Sequence, residues 1–258
     1  MAGIVNTRLI KLLRAVHRPI AGLLGHGGLA LLLIGWLPIA LVIVVLPRPT
    51  RRAAARRLIH HAMQAYRVWL TLIGVLRIDS RTLDTLRDAP AGVIVANHPS
   101  LLDALIVLSH APNVVCVMRA GLLRNPMFAL PARLAGYLPN DHPVEMMLGA
   151  REAIRNGCHV LLFPEGSRTP SGTEKATGPF HPAPFMLASR AGAPLHAFVF
   201  RYDRPLLTKE LPVWQLPPLP VHLHVDALTN VPDATGDHGP HQAARDWRQC
   251  FERQLVTP

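Results

Sequence analysis

Gly92-Val93-Ile94-Val95-Ala96-Asn97-His98-Pro99-Ser100-Leu101-Leu102-Asp103-Ala104-Leu105-Ile106-Val107-Leu108 is a stretch in which the hydrophobic pattern changes once. Up to Ala96 it is short, apolar and β-branched, which reads as a buried strand. From Leu101 onward it is apolar at helical spacing. Asn97 and His98 therefore fall where a strand ends and a helix begins. Pro99 suits the opening of that helix and Ser100 is able to cap or line its first turn, which puts Asp103 near the helix start with its carboxylate in reach of His98. A carboxylate bonded to one imidazole nitrogen fixes the tautomer and leaves the other nitrogen as a base. By itself the string also fits an ordinary loop followed by a helix N-terminus.

A second string lies downstream. Cys158 to Phe163 reads as another buried strand, and Pro164-Glu165-Gly166-Ser167-Arg168-Thr169 follows it as a polar turn rich in donors. Gly166 lets backbone approach a ligand closely, and Arg168 offers a planar fork that matches phosphate. Taken alone, this is also a surface turn in which Arg168 pairs with Glu165. Ser167 lacks the Gly-x-Ser-x-Gly elbow of a covalent nucleophile, so it reads as a capping or ligand-binding hydroxyl.

Together the strings resemble the glycerolipid acyltransferase family, which includes the 1-acylglycerol-3-phosphate acyltransferases, over roughly residues 65 to 230. The family's first block, Asn-His, four residues, then Asp, is matched at Asn97, His98 and Asp103. Its Phe-Pro-Glu-Gly-Thr/Ser-Arg block is matched from Phe163 to Arg168, and a short hydrophobic-Pro-hydrophobic strand at Ala193-Pro194-Leu195. The resemblance implies that His98 is the general base on an acceptor hydroxyl and that Asp103 orients its ring. Asn97, Glu165, Gly166, Ser167 and Arg168 are then substrate-binding, the last four holding the acceptor's polar head. One block departs: Gly136-Tyr137-Leu138-Pro139-Asn140-Asp141 runs into His142 where relatives carry Arg, which counts against a phosphate contact at that position. Arg119 stands where relatives often have a basic residue. It is either a second positive charge beside Arg168 or a solvated cation at a strand end.

The implied activity is transfer of a fatty acyl group from acyl-CoA or acyl carrier protein to the hydroxyl of a lysophospholipid-type acceptor, 1-acylglycerol 3-phosphate foremost. Neither a cofactor nor a metal is implied. The alternatives are an acyltransferase for a non-phosphate or specialised lipid, a thioesterase-like hydrolase, and a non-catalytic lipid-binding protein of the same fold.

Elsewhere strands and helices alternate: strands at 74–78, 93–96, 114–118, 160–163, 195–202 and 221–225, and helices at 53–70, 101–110, 122–134, 144–155, 185–190 and 242–255. This order predicts an α/β fold, a mostly parallel central sheet flanked by helices, with the ligand site outside the carboxyl ends of the strands. His222 and His224 share one face of the last strand and read as exposed side chains, with metal ligation the alternative. The prolines from Pro205 to Pro220 suggest an extended loop, either a connector or a rim of the substrate groove. Cys116, Cys158 and Cys250 are widely spaced and read as free thiols in a reducing compartment.

Half the chain is apolar, and its formal charge of +11 raises the question of nucleic acid. No zinc-finger spacing, helix-turn-helix pattern or aromatic platform accompanies that charge, whereas an anionic membrane surface accounts for it directly. From Pro19 to Pro47 the sequence has no Asp, Glu, Lys or Arg, a length of chain able to cross a bilayer, which takes roughly 20 apolar residues. Arg8, Lys11, Arg14 and Arg18 precede it within a basic amphipathic helix over residues 1–18, and Arg48, Arg51, Arg52, Arg56 and Arg57 follow it. Cations on both flanks, with Pro38 near the middle, favour a re-entrant hairpin over a single span, both flanks facing the cytoplasm. The expected organisation is a membrane-embedded helical segment over 1–60 and an acyltransferase α/β domain over 61–258, on the cytoplasmic face of a bacterial inner membrane.

Overall fold

The computed structural model describes the backbone of residues 2–170, 177–229 and 239–256, with side chains from residue 16 onward. The side chains of Arg8, Lys11 and Arg14, and with them most of the expected amphipathic face of residues 1–18, lie outside the described residues.

Seven strands form one sheet: β1 (Leu76–Asp79), β2 (Val93–Ala96), β3 (Val114–Met118), β4 (Leu138–Pro139), β5 (His159–Leu162), β6 (Leu195–Tyr202) and β7 (Val221–Ala227). Their order is β1-β7-β6-β2-β5-β3-β4, and every neighbouring pair is parallel except β6 and β7. The central strands β2 and β5 are buried along their whole length, as their apolar sequences require, with His159 at the start of β5 bonded to Leu86 O.

Alternate side chains of each strand feed two helical layers. Ile94, Ala96, Leu161, Phe198 and Phe200 face one layer, built from α2 (Arg48–Leu72), α3 (Asp103–His110) and α4 (Pro126–Ala135). Val93, Val95, Val160, Leu162 and Val199 face the other, built from α5 (Pro143–Arg155), α6 (Ala183–Ala191) and α7 (Pro240–Val256). In this second layer the Trp247 and Phe185 rings pack with centroids 5.3 Å apart, and Phe251 is fully buried beside them. The mostly parallel α/β architecture follows from this alternation. It sets the carboxyl ends of β2, β5, β3 and β6 along one rim.

Three features differ from the sequence reading. Helix α3 opens at Asp103 rather than at Leu101, because Ser100 bonds forward: its N–H donates to Asp103 Oδ2 and its Oγ accepts from Leu102 N–H. A 3-10 helix at Arg81–Arg87 and the two-residue strand β4 carry no periodic signal long enough to read.

The third difference is at the N-terminus. Residues 19–43 do not fold back within themselves; they belong to one helix, α1 (Ala2–Ile43), with Pro19 and Pro38 inside it. The chain reverses only at 44–47, where Pro47 is the N-cap of α2 and Pro49 sits in its first turn. The apolar run contains no polar turn residue able to reverse it. Helix α2 is the second arm of the hairpin, and it runs unbroken through position 60 with Ala55 and Ile59 in the core. Hydrogen bonds tie the two arms at both ends: Arg51 Nη1 donates to Val44 O, Trp69 Nε1 to Leu24 O and Tyr66 OH to Gly25 O, and His17 Nε2 meets Ile73 O at 3.0 Å.

Four histidines are enclosed wholly or partly by this packing. Burial lowers the pKa of His60, His110, His159 and His196 below the usual imidazole value, and His159 keeps a buried Nδ1 without a partner among the described residues. With folded values depressed, the unfolded chain binds more protons once the pH drops below about 6.5, so stability must fall as acid is added through that range. The thermal midpoint is therefore expected to decline from about pH 7.5 to pH 5.5, and a flat profile would contradict neutral burial of these rings.

Candidate active site

The two sequence strings meet at the rim. Asn97 follows β2 and is anchored rather than free: its Nδ2 donates to Phe200 O at 2.9 Å and its Oδ1 accepts from Phe200 N–H at 2.7 Å. A buried side-chain amide thus extends the β2–β6 ladder by one rung, and it has no face turned to a substrate.

His98 comes next, and every part of it except one ring nitrogen is held. Its ring stacks on Phe163 at 3.9 Å with an interplanar angle of 13°. Its Nδ1–H donates to Asp103 Oδ2 at 2.8 Å, which leaves Nε2 with a lone pair and without a partner among the described residues. The side chain remains 16% exposed, so a small group is able to reach that nitrogen.

Asp103 is fully buried and accepts three hydrogen bonds. Oδ2 takes His98 Nδ1–H and Ser100 N–H, and Oδ1 takes the Tyr202 hydroxyl at 2.7 Å. Burial pushes its carboxyl above the usual range, and the bond to His98 leads the contacts that oppose this. Burial also raises the Tyr202 phenol well above its ordinary value, and the Asp103 charge beside it adds to that, so the hydroxyl stays a donor. Tyr202 was not legible in the sequence. It lies 99 residues beyond Asp103 at the end of β6, and only sheet pairing brings the two together.

The second string grips the first by its backbone. Glu165 Oε1 accepts from His98 N–H at 3.1 Å and from Thr169 Oγ1 at 2.7 Å, while Oε2 accepts from Gly178 N–H at 2.8 Å. Thr169 N–H donates in turn to His98 O at 2.7 Å. Glu165 is thus buried beneath the histidine with both oxygens occupied. Its carboxylate braces the chain around His98, with each oxygen already bonded within the protein.

Gly166 and Ser167 are exposed at the turn beside it. Gly166 has φ +65°, and a Cβ there would lie 3.2 Å from the His181 ring, so the turn needs glycine on both counts. Arg168 does not pair with Glu165; its Nη1 donates to the carbonyls of Leu207 (2.8 Å) and Thr208 (2.6 Å). Its Nε and Nη2 have no partner among the described residues. Arg119 is exposed at the end of β3, on the same rim but two strands from His98, with nothing joining it to Arg168 among the described residues.

Other histidines lie apart from this cluster. His110 bridges Asp84 (2.9 Å) and Ser80 (2.9 Å), but Ser80 is buried, so this Ser-His-Asp row braces the 3-10 helix and offers no reachable nucleophile. His224 sits between Asp79 (3.3 Å) and Asp226 (2.9 Å) on the open face of β7, and His222 is exposed two residues before it. Among the described residues no three histidine, cysteine or acidic side chains gather as metal ligands.

A histidine held by a buried carboxylate at the end of a parallel strand, and gripped by a Glu-Gly-Ser-Arg turn, can be set beside known proteins. The family model described as Acyltransferase matches residues 77–201, which include both strings. Residues 77–201 carry an Acyltransferase-family domain. It is 26% identical over 147 residues to a chloroplastic 1-acyl-sn-glycerol-3-phosphate acyltransferase of Brassica napus, a match covering 54% of this chain and 42% of that protein. It is likewise 26% identical over 137 residues to the 1-acyl-sn-glycerol-3-phosphate acyltransferase of Pseudomonas aeruginosa, covering 50% and 52%. The chain therefore spans about half the length of the curated relatives it matches. The crystal structure of the 1-acyl-sn-glycerophosphate acyltransferase of Thermotoga maritima shares the fold, with a TM-score of 0.71 at 18% identity over 94% of this chain and 96% of that one.

The Glu165 clasp predicts a stability effect that is independent of any substrate. Glu165→Gln swaps an acceptor for an amide that turns a donor toward N–H or O–H donors, and should destabilise the fold by about 1–3 kcal/mol, read from denaturant unfolding. An unchanged midpoint would mean that the carboxylate is not the clasp.

Proposed function

We propose that this protein is a membrane-bound O-acyltransferase that moves a fatty acyl group from a thioester, acyl-CoA or acyl carrier protein, to the hydroxyl of a lysophospholipid-type acceptor, foremost 1-acylglycerol 3-phosphate. The observation that carries this reading is the state of His98. Its Nδ1–H is bound at 2.8 Å to a buried carboxylate, and Nε2 alone has no partner among the described residues.

In the proposed step Nε2 removes the acceptor's hydroxyl proton as the oxygen attacks the thioester carbonyl. The tetrahedral intermediate collapses with cleavage of the C–S bond, and the imidazolium returns the proton to the departing thiolate. Products are the ester and the free thiol. Asp103 stabilises the imidazolium during this cycle, and Tyr202 and Ser100 hold Asp103 in place.

The acceptor's phosphate is assigned to the Glu165–Arg168 turn. Arg168 is fixed by one nitrogen and retains donors for an anion, and exposed Arg119 adds positive charge on the same rim. His142, exposed at the N-cap of α5, stands outside this set. The names of the relatives support the same acceptor.

The bilayer reading rests on α1. Within Val16–Ile43, Leu23, Leu31, Leu41 and Val42 are each about seven-tenths exposed, too much apolar surface for water. Because α1 is bonded to α2 at both ends, we infer that it lies along the domain in one leaflet, with the basic residues of α2 toward anionic headgroups on the cytoplasmic face of a bacterial inner membrane.

Incubation with labelled acyl-CoA or acyl carrier protein and a panel of lysolipids should yield a diacyl product, with 1-acylglycerol 3-phosphate the best acceptor. Release of free fatty acid alone would instead favour a hydrolase, and preference for an uncharged acceptor would remove the phosphate assignment. His98→Ala should abolish transfer while vesicle binding persists; retained turnover would rule out the base. Tyr202→Phe is expected to lower kcat roughly tenfold, about 1.4 kcal/mol, with KM unchanged, because it loosens Asp103 without touching substrate.

A further inference from the structure

A second apolar feature is exposed beside α1, on the loop between β6 and β7. At the turn closed by Gln215 N–H on Pro212 O, Val213 is 41% and Trp214 79% exposed. A single exposed apolar side chain needs no explanation, so its surroundings decide its meaning. Two residues on, Leu216 is buried against α1, where a Cβ on Gly22 would lie 3.0 Å from its Cδ1. Leu206, Leu207 and Leu216 form one cluster with Ala21. The loop tip is thereby fixed next to the stretch of α1 that exposes Ile20, Leu23 and Leu24. Arg18 on the helix is exposed, as are Arg204, Lys209 and Glu210 on the loop. An indole set beside an apolar helix face, on a loop that also carries exposed Arg and Lys, has the composition of a bilayer interface, where Trp is enriched and Lys and Arg reach headgroups.

The same loop reaches the site. Leu207 is buried at φ +51°, a left-handed conformation that strains a leucine. Its carbonyl accepts from Leu101 N–H, two residues before Asp103, and from Arg168 Nη1.

We propose that Val213 and Trp214 form a second membrane contact, inserted into the interfacial layer beside α1, and that this contact sets the Arg168 side of the site at the lipid surface. The inference rests on the bilayer reading of α1, and its test separates the two. Cys116, Cys158 and Cys250 are buried, so Trp214→Cys and Leu31→Cys variants of the full chain take an environment-sensitive dye at one position each. Each is reconstituted with vesicles of phosphatidylethanolamine and phosphatidylglycerol carrying a nitroxide on the headgroup or deep in the acyl chain.

The expected result is a blue shift of both dyes on vesicle binding, with the W214C label quenched more by the headgroup nitroxide and the L31C label more by the acyl-chain nitroxide. A shift of the L31C label with none of the W214C label overturns this proposal and leaves α1 as the sole contact. Absence of a shift at both overturns the bilayer reading and this proposal with it. Trp214→Ser should in addition lower turnover of vesicle-borne acceptor while leaving turnover of detergent-dispersed acceptor unchanged. An equal loss in both settings would assign Trp214 to folding instead.

Discussion

The carboxylate of Glu165, buried beneath the backbone of His98, is the constraint on which the site depends. A histidine on a loop is ordinarily free to move, and one that must accept a proton from a particular oxygen is useful only if its main chain is fixed. Here the N–H of His98 is held by Glu165 Oε1 and its C=O by Thr169 N–H, so the loop after β2 and the turn after β5 form one unit. Asp103 then fixes the ring from the side and Phe163 fixes it from below. Two segments with adjacent parent strands are joined by polar contacts that water would weaken, which is why Glu165 and Asp103 are both buried.

This division of labour explains what could be read from sequence. The sheet was legible because parallel central strands must be apolar on both faces, and the runs at 93–96 and 159–162 carry that pattern. The pairing of His98 with Asp103 was legible because it is local, a strand end and a helix start in one short string. Glu165 and Asn97 were legible as important residue types, but their tasks were not. A motif residue at a strand end is equally compatible with touching the ligand or with bracing the residue that does. Only the partners decide, and both residues spend their polar atoms on the backbone of distant segments. Tyr202 carried no signal at all, since an aromatic residue closing a strand is usually a core residue.

The N-terminal helices show the same limit from another side. Apolar composition announced a lipid-facing segment, and cations on either flank suggested that both its ends share one side of the membrane. The place of the reversal depends on which residues break a helix in context. Pro38 is absorbed inside α1, whereas Pro47 and Pro49, followed by a polar arginine-rich run, start a new helix. Once α2 is committed to the core through Ala55 and Ile59, α1 is drawn along it, and Trp36 and Ala40 join the same core. Helix α1 and the layer that carries His98 are therefore one packed structure, joined through α2.

That continuity bears on the proposed substrate. A lysolipid acceptor would bring its hydroxyl and phosphate close together, with its acyl chain trailing into the bilayer, so the groups proposed to receive them would have to be fixed relative to the membrane as well as to each other. His98 is fixed by contacts among β2, β5 and α3. Arg168 is fixed by the β6–β7 loop, through the carbonyls of Leu207 and Thr208, and that loop packs on α1 through Leu216. His98 is thus referenced to the sheet and Arg168 to α1, with Leu101 N–H on Leu207 O joining the two frames. Under the proposed function the chemistry would be set by the local string around His98. Selection of the acceptor would be distributed over segments more than a hundred residues apart, which is the physical reason a reaction class is easier to propose than a substrate.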